Sequence, residues 1–202
     1  MATFTVPAQI IRAAQACQGK KDVRYYLNGI CFREDGAILG TNGHVLFKGM
    51  PIPYGKYDGI YFVNESGERV TRILSIGGNI PAGATDVTID TETLIASTDN
   101  GKVFKCEYVE GNYPDCERVI PNLNPDSITG GASFDPKYLA TIAKVFPCMV
   151  HFHYMGDKSP NVLTVDDWND WDMTMVIMPM RHRDKDKGWA TMDRRQSIAN
   201  AA

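Results

Sequence analysis

The 202-residue sequence predicts an α+β fold in which one unit, strand–helix–strand–strand–strand, occurs about three times, with the helices on one face of antiparallel sheets. Three observations predict it. Helical spacing of apolar residues begins near positions 7, 67 and 135, each time after a short β-like run. Each helical stretch is followed by short runs rich in β-branched and aromatic residues. Clusters of Gly, Asn and Asp separate those runs. Residue identity between the copies is low, so the repeat is one of pattern.

In the first unit, a strand at 3–6 leads into a helix at Pro7, whose fixed φ suits a first helical position. Ile10, Ile11, Ala14 and Cys17 form its apolar face, and Gly19 ends it. Strands are expected at 24–32, 38–41 and 45–48, divided by turns at Glu34-Asp35-Gly36 and Asn42-Gly43. The second unit has a strand at 59–63 and a helix at 68–76, capped by Ser66 and stopped by Gly77-Gly78. Val70, Ile73 and Leu74 mark its apolar face, and strands follow at 86–90, 93–97 and 103–107, the last after an Asn100-Gly101 turn. The third unit opens at Ser133-Phe134. Its helix at 136–145 is capped by Asp135, with Leu139, Ile142 and Ala143 facing inward, and strands follow at 149–154, 162–165 and 173–178. Residues 114–131, rich in Pro, Asn, Asp and Gly, link the second and third units.

Hydrophobic residues make up 44% of the chain, enough for a core. The net charge of −3 gives no overall attraction to nucleic acid, so any such contact has to be a local basic face. The five cysteines, Cys17, Cys31, Cys106, Cys116 and Cys148, lack paired spacing, which argues against a disulfide framework or a zinc ribbon and for reduced structural thiols. The N-terminus lacks the apolar core of a signal peptide, and no apolar run reaches transmembrane length. A soluble, cytoplasmic protein with no membrane contact is expected.

Catalytic patterns are weak. His151 and His153 alternate along one strand and share a face, close in sequence to Asp166, Asp167, Asp170 and Asp172. A metal-dependent enzyme built on them is one reading, but no third ligand sits at a telling spacing and no closing Glu completes a calcium loop. Gly77-Gly78 follows its helix, so it is no phosphate loop. No enzyme, cofactor or metal is expected. Cations, by contrast, recur with the helices: Arg12, Lys20 and Lys21 at the first, Arg69 and Arg72 on the second, Lys137 and Lys144 on the third. Three such helices on one surface form a basic face that touches phosphates without reading sequence.

Four segments carry a resemblance. They are "DVRYYLNG" at 22–29, "TNGHVLF" at 41–47, "EGNYPDCERVIP" at 110–121 and "VIMPMR" at 176–181. In this order they resemble the bacterial replicative sliding clamp, the β subunit of DNA polymerase III, whose middle domain has a "TDGHRLA"-like hairpin and closes on "DGRFPDYRRVLP". The resemblance implies the sliding-clamp (DNA clamp) fold: half-units of the repeating kind, sheets outside, helices turned toward duplex DNA. Family members have about twice as many half-units as this chain. Residues 1–122 match a complete clamp-like domain, 123–182 match the second half of the final domain, and 183–202 form a polar tail beyond the usual end of a clamp.

The resemblance also implies a hydrophobic pocket for a short peptide of polymerases and other replication proteins. Matched residue by residue, its walls are Leu27, Thr41, Gly43, His44, Val45, Leu46, Pro121, Val176, Met178, Pro179, Met180 and Arg181. Val45 stands where the family has arginine and Phe47 where it has alanine, so a more apolar and narrower pocket is expected. DNA contacts would come from Arg12, Lys20, Lys21, Arg24, Tyr25, Arg69, Arg72, Lys137 and Lys144. The expected function is that of a minimal, phage-like processivity factor, homo-oligomeric, that contacts DNA without sequence preference. The rival reading is a clamp mimic that captures clamp-binding peptides without encircling DNA.

Overall fold

Strand β1 (Thr3–Pro7) runs straight into helix α1 (Ala8–Cys17), with Pro7 as the helix N-cap at φ −55°. The computed structural model describes residues 3–52, 55–57, 60–121, 133–156 and 159–180. After α1 come β2 (Ile30–Phe32), β3 (Ile38–Thr41), β4 (Val45–Pro51), β5 (Phe62–Val63), β6 (Arg69–Val70), β7 (Arg72–Ile76), β8 (Asp86–Asp90), β9 (Ile95–Thr98) and β10 (Val103–Tyr108). Helix α2 (Pro136–Val145) and strands β11 (His151–His153), β12 (Asn161–Trp168) and β13 (Trp171–Ile177) complete the described chain.

Eleven of these strands form one antiparallel sheet in the order β1-β8-β9-β10-β7-β2-β3-β4-β13-β12-β11, while β5 and β6 pair as a separate hairpin. Two pairings hold the large sheet together. In β10, Val103–Lys105 bond to β9 and Cys106–Tyr108 bond to β7. Strand β13 pairs with β4 along its whole length, Trp171 opposite Pro51 through Ile177 opposite Val45. The ladder therefore crosses from residues 1–122 into 123–182 without a break.

The period-two alternation of side chains explains why the central strands are apolar throughout. Ile30, Phe32, Ile38, Val45, Phe47, Leu74, Leu163, Met175 and Ile177 point to the inner face, where α1 lies. Cys31, Leu39, Leu46, Ile73, Val162 and Val176 point to the outer face and join a second, smaller cluster. Helix α1 sits so close to β3 that a Cβ at Gly40 would collide with the carbonyl of Ala14.

Three sequence expectations change. The helix expected at 68–76 is instead the strands β6 and β7. Asn64 starts a tight turn, its side chain accepting from Ser66 N at 3.0 Å and Glu68 N at 2.9 Å, and Gly67 takes φ +80°. Ile73 then serves the outer cluster and Leu74 the inner one, a split that only a strand allows, and β7 is bonded on both sides by β2 and β10. The strand expected at 24–32 begins only at Ile30, after a 3₁₀ turn, Tyr25–Asn28. Asn28 closes that turn: its Oδ1 accepts from Asp22 N at 2.9 Å and its Nδ2 donates to Asp22 O at 3.0 Å. Finally, Leu139 and Ala143 of α2, expected inward, are exposed.

Candidate functional site

On the outer face, three segments converge above Leu46 and Val176. The first is the β3–β4 turn. Asn42 Oδ1 accepts from His44 N at 2.9 Å and Val45 N at 3.1 Å, which forces Gly43 to φ +85°, a region that suits glycine. Thr41 Oγ1 donates to Val45 O at 2.7 Å. The His44 ring stacks on Tyr138 of α2 at 5.7 Å, and the His44 carbonyl accepts Met178 N at 3.0 Å. The turn, the end of β13 and the start of α2 are thus fixed to one another.

The second segment is 113–119. Asp115 accepts from Glu117 N at 3.2 Å and caps a 3₁₀ turn, Cys116–Val119. Glu117 Oε1 receives Arg33 Nη1 and Lys48 Nζ, each at 2.7 Å, which draws the turn onto the sheet. The hydrogen bond from Lys48 is the main reason the Glu117 carboxyl lies below the usual carboxylate range. Tyr113 Oη accepts Thr41 N at 2.9 Å, and burial pushes its phenol well above the usual tyrosine range. Burial likewise pushes the Cys116 thiol up to about 11, so it is a neutral, apolar wall.

The third segment is the Tyr25–Asn28 turn, which buries Leu27. Arg24, just before it, is held by Asp22 at 2.8 and 3.0 Å and donates to Asn42 O at 3.3 Å. Its guanidinium lies over Gly43, where a Cβ would approach to 3.1 Å. That hydrogen-bonded pair lowers the Asp22 carboxyl to about 2.

Between the three lies a cleft of ≈ 270 Å³ lined by Leu27, Thr41, Gly43, His44, Val45, Leu46, Val176 and Met178, together with Arg24, Tyr26, Pro114, Asp115, Cys116 and Val119. Pro121, Pro179 and Met180 are not among its lining residues, and Arg181 lies outside the described residues. Phe47 does not narrow the cleft, because it is buried on the inner face. Among the described residues the arginine at the cleft is Arg24, although Val45 occupies the position where the resemblance puts an arginine. The 114–119 wall was legible only as part of the "EGNYPDCERVIP" match.

The expected basic face is rearranged. Arg12 is half-buried, donating from Nη1 to Pro81 O at 2.8 Å and Ala84 O at 3.0 Å and from Nη2 to Gln9 Oε1 at 3.0 Å. Burial lowers its pKa. Lys20 and Lys144 border a cleft between α1 and α2 along with Arg12, Gln9, Gln15 and Asn79. Lys21 and Tyr25 are exposed, and Lys137 pairs with Asp135 at 2.9 Å. Arg69 and Arg72 do not belong to a helix: Arg69 lies over the Tyr61 ring at 4.1 Å and Arg72 near the Tyr108 ring at 5.8 Å. Arg24 belongs to the outer cleft.

Among the described residues, no three His, Cys, Asp or Glu side chains converge as a metal site, and no helix is long and apolar enough to cross a membrane. His153 Nε2 lies 3.0 Å from Thr164 Oγ1.

No family model matches the chain. Curated relatives do. The chain is 33% identical over 131 residues to the beta sliding clamp of Escherichia coli (strain K12), and 31% identical over 131 residues to that of Salmonella typhimurium. Each match covers 61% of this chain and 34% of the relative, so the chain matches about a third of the relatives' length. Among solved structures, a DNA polymerase sliding clamp from Pseudomonas aeruginosa superposes with a TM-score of 0.59 at 19% identity, covering 89% of this chain and 67% of that one. The DNA polymerase III β subunit from Thermotoga maritima gives a TM-score of 0.54 at 14% identity, over 91% and 66%. The chain has the sliding-clamp fold and is similar in sequence to beta sliding clamps.

Proposed function

We propose that this chain is a non-catalytic replication processivity factor of the sliding-clamp kind, working in the cytoplasm, and that the outer cleft receives a short apolar peptide of a polymerase or another replication protein. The observation that carries the reading is the cleft itself. Leu27, Leu46, Val176 and Met178 offer an apolar floor and walls, while Arg24, Asp115 and the β3–β4 turn offer polar atoms at its rim. An adaptable Met beside fixed aliphatic side chains suits a peptide groove. Sequence-independent contact with duplex DNA would fall to the helical side, to Lys20, Lys21 and Lys144, in a homo-oligomer large enough to surround the duplex.

One observation favours the second reading, a mimic that binds clamp-binding peptides without encircling DNA. Arg12 is committed to backbone carbonyls, and Arg69 and Arg72 sit on strands near Tyr61 and Tyr108 and not on a helix, so the helices carry fewer available cations than the sequence promised. Fluorescence anisotropy with clamp-binding peptides tests the cleft, and retention on circular duplex DNA tests the clamp. Peptide binding with retention supports the first reading, and peptide binding without retention supports the mimic. Absence of peptide binding overturns the cleft in both.

A further inference from the structure

A second cleft, of ≈ 730 Å³, opens where β7 begins and β10 ends. One segment divides it from the outer cleft. Gly111, Asn112 and Tyr113 line the second cleft, and the next residues, Pro114, Asp115 and Cys116, line the first. The divide is held at both ends. Val109 N donates to Ile73 O at 2.9 Å, and Tyr113 Oη accepts Thr41 N at 2.9 Å. Gly111 is exposed and puts no side chain on the divide. It takes φ +127°, and a Cβ there would meet the Cβ of Tyr26, which lines the outer cleft, at 3.2 Å. Glycine thus leaves a passage from one cleft to the other that a larger residue would obstruct.

The two clefts differ in chemistry. Leu27, Leu46 and Val176 make the outer one apolar, whereas Thr71, Arg72, Tyr108, Glu110 and Asn112 make the second one polar. Its cation is uncommitted. Arg24, Arg33 and Arg118, around the outer cleft, each hold a carboxylate. Arg72 is exposed and, among the described residues, forms no ion pair; its guanidinium lies 5.8 Å from the centre of the Tyr108 ring. Glu110 lines the same cleft without bridging to Arg72. Tyr108 is 44% exposed, and burial of the rest of it raises its phenol above the usual range, so it stays neutral.

We infer that the second cleft receives an acidic residue of the same peptide whose apolar core sits in the outer cleft, with its carboxylate on the Arg72 guanidinium. The inference rests on the peptide reading of the outer cleft and adds the partner's chemistry: an apolar core with an acid a few residues away. The fork of an arginine matches a carboxylate in two hydrogen bonds, and an uncommitted arginine gives up no internal partner to make them. The lining passes from one cleft to the other between Tyr113 and Pro114, so a short extended segment crossing at Gly111 reaches both.

Fluorescence anisotropy with the full chain and three labelled synthetic peptides tests the inference. All three share one apolar core of Leu and Phe. The reference peptide has Gly and Ser on both flanks, and the other two carry a pair of Glu on the amino-terminal or the carboxy-terminal flank. One acidic peptide is expected to bind about fivefold more tightly than the reference, the gain of a partly exposed ion pair. Arg72→Gln is expected to remove that gain and to leave the reference peptide's affinity unchanged. Glu110→Gln, which removes a like charge, is expected to enlarge the gain. Both side chains are exposed, so neither variant is expected to shift urea unfolding. Equal affinity of the three peptides, or a gain that survives Arg72→Gln, overturns the inference and leaves the outer cleft standing. Failure of every peptide to bind overturns the outer cleft and, with it, the inference.

Discussion

The phenol oxygen of Tyr113 accepts the backbone N–H of Thr41 at 2.9 Å, tying the segment that walls the outer cleft to the last residue of β3. Thr41 is buried, so its N–H has no ready substitute in solvent. Tyr113→Phe is expected to destabilise the fold by about 1–3 kcal/mol, the cost of an unsatisfied buried donor. Urea unfolding measures it, and hydrogen exchange at Thr41 is expected to quicken more than at Leu39.

Gly40 is the closest approach between α1 and the sheet. Gly40→Ala places a methyl group on the Ala14 backbone, where no side chain can swing aside. The helix must shift, at a cost of about 1–3 kcal/mol. The expected outcome is a lowered unfolding midpoint with an unchanged m-value.

Met178 lines the cleft and is 36% exposed, whereas Leu27 is 1% exposed. Truncating the two therefore has different consequences. Met178→Ala is expected to weaken peptide binding by roughly 1–2 kcal/mol with little change in stability. Leu27→Ala is expected to cost about 2–5 kcal/mol of stability as well. Anisotropy titration alongside urea unfolding separates the two effects.

Glu117 lies below its ordinary range because Lys48 and Arg33 bond to it. A depressed carboxylate contributes stability that is present above its unfolded value, about pH 4.3, and is lost as pH falls through the folded value. Glu117 is 47% exposed, so the contribution is under about 1 kcal/mol. Below about pH 4, exchange at residues 116–119 is expected to quicken before global unfolding, and Glu117→Gln is expected to remove that pH dependence.

The sequence made the sheet legible where a strand serves one face cleanly or where a turn is marked. Asn42-Gly43 announced the β3–β4 hairpin, and Asp135 with Pro136 announced α2, whose cap bond to Lys137 N is 3.0 Å. It misled at Ile73 and Leu74. Adjacent apolar residues read as a helical face, but the fold assigns them to opposite clusters. It misled again at Asn28, which ends a 3₁₀ turn by bonding six residues back, a contact with no local periodicity. In the cleft, Leu46 and Val176 followed from the resemblance, whereas Cys116 and Val119 arrived through a long-range tether, Glu117 to Arg33 and Lys48, that no spacing rule contains.

The unbroken ladder from β1 to β11 has a mechanical consequence. Between the first unit and the third stands the β4–β13 seam, seven residue pairs in register. Bending there would mean breaking backbone hydrogen bonds in series. The first and third units are thus held together as one stiff body by strand register. Any surface that spans both units is therefore set in place by the single chain before a partner arrives.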